Sequence, residues 1–387
     1  MKLAMLLVSL LTLATGVEAV PSPGPSCEEA CLETCKDDGP SSVDGTSANP
    51  PQQVILVADV GVDDAAGVLL ALSSPSLEVL GIAATFGCHK HVEVTARNAE
   101  RLLAAANRSS VPVYRGAPFP FGSTDLMHGD GSYVHGADGF GNLPDDYESC
   151  SPAETGGVSA AEFIAQTARS APGKVVLVSF SPLTNVALAL AIEPRLPTLL
   201  RSMVAMGGAI YCAGNASPLA EANFMHDAHA ARIVVHAFAQ AGSLVLAPLD
   251  VTNPTIIAPR FIEQMSAGGK AAAMFTSAWP TYQNAYCKLA GECDGTPLHD
   301  AHPVMYLVAP QLYTRTEQLK LSVISSQVGD PAHGMSTFDR RGKRADTGLG
   351  GGREAGARGS VTVLLEVDRP AFVKLLADSI SGLARLP

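Results

Sequence analysis

The chain has 387 residues, with 37 acidic residues against 26 Lys and Arg and a formal net charge of −11. With no run of Lys or Arg anywhere, that balance leaves neither nucleic acid nor an anionic membrane surface as the main partner. No stretch supplies the ~18 consecutive apolar residues of a membrane-spanning helix. Residues 1–19 pass from Lys2 through an apolar Leu/Val/Ala run to Val17-Glu18-Ala19, the pattern of a cleaved signal peptide, so the mature chain is expected to begin near Val20. An exported chain of this kind goes to the extracellular space, a vacuole or a lysosome.

Residues 20–53 are rich in Pro, Ser, Gly and Asp and read as a leader or linker. Cys27, Cys31 and Cys35 fall there at helical spacing. Eight cysteines in an exported chain make disulfides expected, although spacing does not fix their pairing. Of the two glycosylation sequons, Asn107-Arg108-Ser109 is the better acceptor and Asn215-Ala216-Ser217 the poorer.

From Val54 onward a strand and helix alternate. Val54–Ala58 reads as a buried strand before the helix Ala65–Ser73, and Leu77–Ala84 as a strand before the helix Val92–Ala106. The same pairing recurs in Lys174–Phe180 with Leu183–Ile192. Met203–Met206 and Leu244–Ala247 add short buried strands, a helix starts near Pro303, and Ser360–Val367 with Ala371–Leu383 closes the chain. Residues 340–359, around Gly350-Gly351-Gly352, read as an exposed loop. The pattern predicts one α/β domain over 54–387, an open, mostly parallel Rossmann-like sheet flanked by helices.

In such a sheet ligands sit beyond the carboxyl ends of the strands, where Asp59, Gly61, Asp63 and Asp64 fall. Three carboxylates so close repel unless a cation or protons intervene, and hard oxygens suit Ca²⁺ or Mg²⁺ better than zinc. Capping of the following helix is the competing reading for Asp63 and Asp64. Downstream, Pro297-Leu298-His299-Asp300 sets an imidazole beside another carboxylate. The segment Gly214–Asn223 groups Asn215, Glu221 and Asn223, the donors and acceptors that sugar hydroxyls require.

Taken in order, these fragments resemble the inosine-uridine-preferring nucleoside hydrolase family. Its first loop, D-x-D-P-G-x-D-D, reads here Val57-Ala58-Asp59-Val60-Gly61-Val62-Asp63-Asp64. The likeness runs on through Phe86-Gly87, Thr95-Ala96-Arg97-Asn98, His135-Gly136-Ala137-Asp138-Gly139, Ser181-Pro182-Leu183-Thr184-Asn185, Met206-Gly207-Gly208, Leu298-His299-Asp300 and Gly334–Asp339. It implies Ca²⁺-dependent hydrolysis of a ribonucleoside to ribose and free base, on a homodimer or homotetramer. Asp59, Asp64, Asp300 and the Phe180 carbonyl would hold Ca²⁺. Asp63, Met206, Asn215, Glu221, Asn223 and Asp300 would bind the ribose. Asp59 would take a proton from a water held by the metal, and His299 would protonate the departing base, with His135 a weaker candidate.

Four positions depart from the family: Val57, Val60, Cys88 where an asparagine is expected, and Asn253 where a histidine is frequent. These keep a second reading open, a nucleoside-binding protein that turns over poorly, and the leader keeps a third, a secreted interaction protein. Trp279, Tyr282 and Tyr286 are expected in the core, with stacking on a base as their alternative role.

Overall fold

The computed structural model describes residues 50–121, 130–144, 155–339 and 359–385. The expected signal peptide, Cys27, Cys31, Cys35, Cys150 and residues 340–358 lie outside them. Residues Asn49–Pro387 form one compact unit. Strand β1 spans Gln52–Ala58 and so starts two residues before the expected Val54, the Gln52 amide donating to the Ser76 carbonyl at 2.8 Å.

Eight strands make the sheet: β1, β2 (Leu77–Ala84), β3 (Val113–Arg115), β4 (Val176–Ser179), β5 (Ser202–Met206), β6 (Leu244–Ala247), β7 (Arg315–Leu319) and β8 (Val361–Glu366). Their spatial order is β3-β2-β1-β4-β5-β6-β8-β7, parallel throughout except for β7, which runs antiparallel to β8 at the edge. The unbroken apolar run of β1 follows from burial on both faces. Val54, Leu56 and Ala58 enter one core layer, and Ile55 and Val57 enter the other.

Helices cover both faces. On the first lie α1 (Val62–Ser73), α2 (Val92–Ala105), the long α6 (Gly269–Ala290), α7 (Ala301–Val308) and α8 (Arg369–Gly382); on the second lie α3 (Ala160–Ser170), α4 (Thr184–Ile192) and α5 (Ala228–Ala241). No described helix is long and apolar enough to cross a membrane.

Two boundaries differ from expectation for a local reason. Helix α1 begins at Val62, not Ala65, because the Asp64 carboxylate accepts the Gly61 N–H at 3.0 Å and so satisfies a donor of the first turn. Helix α8 begins at Arg369, not Ala371, because the Asp368 side chain caps it by accepting the Ala371 N–H, with Pro370 in the first turn. Helix α6 gave no sequence signal of its own: Gly269, several alanines and an internal Pro280 dilute its periodicity.

The strand order places the chain's reversal between β1 and β4. There the connections leave the sheet in opposite directions and open a crevice at the carboxyl ends of both strands. Asp59 follows β1 directly and Phe180 follows β4 directly, and the Phe180 N–H donates to the Val57 carbonyl at 3.0 Å across the junction.

Candidate active site

At this junction lies a cavity of about 410 Å³. Every residue singled out from the sequence as metal ligand, ribose contact or catalyst contributes to its wall: Asp59, Asp63, Asp64, Phe180, Met206, Asn215, Glu221, Asn223, His299 and Asp300. His135, Cys88, Asn253, Tyr282 and Tyr286 join them.

The floor is acidic. Asp59, Asp63, Asp64 and Asp300 are all buried, with Asp64 wholly inaccessible. Both oxygens of Asp64 accept backbone N–H groups, Oδ1 from Asp59 at 3.1 Å and Oδ2 from Gly61 at 3.0 Å, so the capping role and the site role coincide in one side chain. Asp59 accepts the Cys88 N–H on Oδ2 at 2.5 Å, while its Oδ1 is buried without a hydrogen-bond partner. Gly87 makes that contact possible. At φ +148° a Cβ would sit 2.0 Å from Asp59 Oδ2, so only glycine fits. Gly67 of α1 likewise leaves room for the Asp300 carbonyl, which a Cβ would meet at 2.6 Å.

Burial, then repulsion from Asp64, raises the carboxyl pKa of Asp59. Burial, then repulsion from Asp63, raises Asp300 and lifts Asp64 to about 7. Two sets of donors lie within 4.8 Å of one another, Asp59 with Asp64 and Cys88, and Asp63 with Asp64 and Asp300; Asp64 belongs to both. Hard, crowded oxygens and an orphaned Asp59 Oδ1 fit a divalent cation, which satisfies the orphan and offsets the repulsion. The Cys88 thiol hangs over this floor, 3.3 Å from Asp64 Oδ2, its own pKa raised by burial and by the surrounding carboxylates.

The ribose-side residues are held by backbone. Glu221 accepts the N–H groups of Gly208 (3.0 Å), Asn223 (2.7 Å) and Phe224 (3.1 Å), which ties the loop after β5 to the short helix Ala222–His226; burial nonetheless lifts its pKa to about 7. Asn223 Nδ2 donates to Met206 Sδ at 3.3 Å. Asn215 Oδ1 is committed to the Ala222 N–H at 2.9 Å, which leaves its amide NH₂ as the available donor.

The opposite wall is aromatic. The two-residue strand Thr296–Pro297 pairs with Ile256–Ile257 and sets His299 in place. His299 lies between Thr252 Oγ1, 2.7 Å from Nδ1, and the Tyr286 hydroxyl, 2.6 Å from Nε2. Burial lowers its pKa to about 4, so the ring is neutral at neutral pH. The neighbouring Tyr282 hydroxyl donates to Asp63 Oδ2 at 3.0 Å. Burial raises the pKa of both tyrosines, which keeps their protons on. His135 Nδ1 accepts the Val62 N–H at 3.1 Å, and burial lowers its pKa.

All three aromatic residues expected in the core lie in it or against it: Trp279 and Tyr282 belong to the first core layer and Tyr286 packs on it, with Trp279 Nε1 donating to Thr296 Oγ1 at 3.1 Å. Tyr282 and Tyr286 lie on α6 with their hydroxyls in the cavity, because residues four apart share a helix face. Thr252 carried no signal in the sequence; it becomes visible only through its bond to His299. Cys287 and Cys293 form a disulfide at the C-terminus of α6, while Cys88 and Cys212 have no disulfide partner among the described residues. Of the departures, Val57 packs into the second core layer and Val60 into the first, so neither side chain faces the acidic floor. Cys88 and Asn253 do face the cavity.

Comparison with known proteins agrees with this geometry. Residues 54–374 match the profile of the inosine-uridine preferring nucleoside hydrolase family. A probable uridine nucleosidase of Arabidopsis thaliana is 31% identical over 331 residues, covering 85% of this chain and 97% of that one. A pyrimidine-specific ribonucleoside hydrolase of Klebsiella pneumoniae is 34% identical over 329 residues, covering 85% and 98%. Among solved structures, a purine-preferring ribonucleoside hydrolase from Gardnerella vaginalis superposes with a TM-score of 0.75 at 28% identity, covering 87% of this chain and 100% of that one. A nearly full-length, colinear match on the same sheet, with a carboxylate cage at its switch point able to hold the metal that this metal-dependent family uses, places the chain in the inosine-uridine preferring nucleoside hydrolase family, as an enzyme that hydrolyses ribonucleosides.

Proposed function

We propose that the protein is an exported, calcium-dependent nucleoside N-ribohydrolase acting on both purine and pyrimidine ribonucleosides. The observation that carries this reading is the Asp59 Oδ1 atom, buried without a partner among carboxylates at the switch point. Asp59, Asp64, Asp300 and the Phe180 carbonyl would hold the Ca²⁺. When bound, the cation supplies a Lewis acid that orients a water and the ribose hydroxyls and lowers that water's pKa.

Asp59, whose carboxylate direction is fixed by the Cys88 N–H on Oδ2, would act as general base toward the attacking water. Asp63, oriented by the Tyr282 hydroxyl, together with Asn215, Glu221 and Asn223, binds the ribose hydroxyls, and Met206 packs beneath the ring. Cleavage of the N-glycosidic bond builds positive charge on the ribose, which the buried carboxylates stabilise.

The leaving base needs a proton. A ring with a pKa of about 4 is a poor store of one at neutral pH. We assign the acid function to His299 acting with Tyr286: Thr252 donates to Nδ1, Nε2–H donates to the tyrosine oxygen, and the tyrosine O–H faces the base. Tyr286 gives its proton to the base, the His299 Nε2–H stabilises the phenolate left behind, and solvent returns the proton after the base departs.

Incubation of the purified chain with inosine, uridine, adenosine, guanosine and cytidine, with and without a calcium chelator and beside Asp59→Ala, tests this. Reducing sugar released only with calcium, and lost in the variant, supports the hydrolase. Binding of nucleoside without release moves the reading to a binding protein. Export, as residues 1–19 predict, is checked by the N-terminal sequence of the protein recovered from its host.

A further inference from the structure

We propose that Cys88 is itself a donor to the cation of the acidic cage, and that the site therefore takes a thiophilic divalent ion, such as Cd²⁺ or Zn²⁺, in competition with Ca²⁺. The inference rests on the reading of that cage as a divalent-cation site.

Asp59, Asp64 and Cys88 each present one donor atom within 4.8 Å of the others. The thiol has no disulfide partner among the described residues and points at Asp64 Oδ2 from 3.3 Å. Its backbone N–H is fastened to Asp59 Oδ2, so the residue is anchored to one ligand by its main chain and to another by its side chain. The loop also confines it: a Cβ at Gly61 would come within 2.5 Å of Sγ, so the sulfur lies against the turn that carries the aspartates. The independent sign that the space between these groups takes a ligand is Asp59 Oδ1, which is buried without a partner.

An all-oxygen cage favours hard cations, and one sulfur donor shifts the preference toward softer ones. On binding, the S–H bond breaks and a sulfur–metal bond forms. The proton leaves to solvent, and no oxidation occurs.

The test uses the full-length chain stripped with a chelator and titrated with Cd²⁺ while thiolate-to-cadmium charge-transfer absorption is followed, in wild type and in Cys88→Ser. The wild type should show a saturable band that excess Ca²⁺ removes, which ties the sulfur to the cage and not to other cysteines. Cys88→Ser should lack that band, and its preference for Cd²⁺ over Ca²⁺ should fall about tenfold or more. A Ca²⁺-displaceable band that persists in Cys88→Ser would overturn the assignment. So would a wild type that Ca²⁺ shifts thermally but that shows no displaceable band, a result that does not depend on whether the variant folds.

X-ray absorption of wild type with one equivalent of Cd²⁺ gives the same decision without any variant, since a sulfur neighbour that Ca²⁺ displaces is required. Failure of the calcium reading is separable. Ca²⁺ would then give no thermal shift in either chain, and Cys88 would be judged by the Cd²⁺ band in wild type against Cys88→Ser alone.

Discussion

The floor and the aromatic wall of the cavity are both buried and both polar, yet they are built on opposite principles. On the floor, Asp59, Asp63, Asp64 and Asp300 crowd like charges on rigid strand and helix ends and leave one oxygen orphaned. On the wall, Thr252, His299 and Tyr286 satisfy one another and remain neutral. The floor is incomplete without a cation. The wall is complete by itself and holds its protons ready. A buried polar group costs free energy when unpaired and little when paired, so the folding energy set aside for catalysis is stored on the floor.

The largest effect that can break this comparison comes from Asp59→Ala. Loss of the general base should cut turnover ~10²- to 10⁴-fold. The cation-free variant loses a repelling carboxylate together with the acceptor of the Cys88 N–H, so its melting temperature should stay close to that of the wild type. A large fall in its melting temperature, read by scanning calorimetry, would mean that the floor is not strained as described.

On the wall, Tyr286→Phe and His299→Ala should each slow hydrolysis of a natural nucleoside by about 10²-fold or more. Both should leave calcium affinity unchanged, and both should act normally on a riboside whose leaving group is stable as an anion. Equal losses on the two substrates would assign these residues to binding and remove them from proton transfer.

Stability against pH sharpens the same contrast. The folded-state pKa of Asp64 lies at about 7, above its ordinary 3.8, so the folded, cation-free chain binds that proton more tightly than the unfolded chain does. The associated stability is therefore full below about pH 4 and is lost as pH rises through about 7. Asp59 and Asp300, also raised, act in the same direction. His299 has the opposite shift: the unfolded chain binds its proton more tightly, so it removes stability on the acid side as pH falls below the ordinary histidine range. Melting temperatures of chelated protein should fall from about pH 6 to about pH 8, with Ca²⁺ recovering most at the upper end. A calcium effect independent of pH would contradict the charged cage.

The smallest expected effect concerns the rim. The Cys287–Cys293 disulfide closes the turn at the end of α6 one residue after Tyr286, and Leu289, Ala290 and Glu292 within it line the cavity mouth. Cys287→Ser should cost about 2 kcal/mol at most, as expected for so short a loop. It should raise KM for nucleosides several-fold and leave calcium affinity unaltered. A calcium affinity that moved with it would show that rim and floor are coupled.

Much of the floor was legible in the chain itself. A continuous apolar strand running into Asp59, Gly61, Asp63 and Asp64 states both a buried parallel strand and a cluster of like charges at its carboxyl end, because burial on two faces and charge repulsion are local consequences of residue type. The wall was less legible. Tyr286, His299 and Thr252 lie on three separate segments, and no periodicity links them. Tyr286 read as core because a large aromatic ring is ordinarily packed there, and its place beside His299 depends on how α6 packs on the sheet.

By itself, then, the sequence determined the α/β alternation, the acidic loop and the family, since each is carried by neighbouring residues or by motifs in linear order. Only the tertiary structure decided that Val57 and Val60 face the core while Cys88 faces the cage, that Asp59 has one oxygen tied and one free, and that Tyr286 and Thr252 bracket His299. Those facts depend on which faces of distant elements meet at the switch point, and that is set by the packing of the two core layers against the sheet.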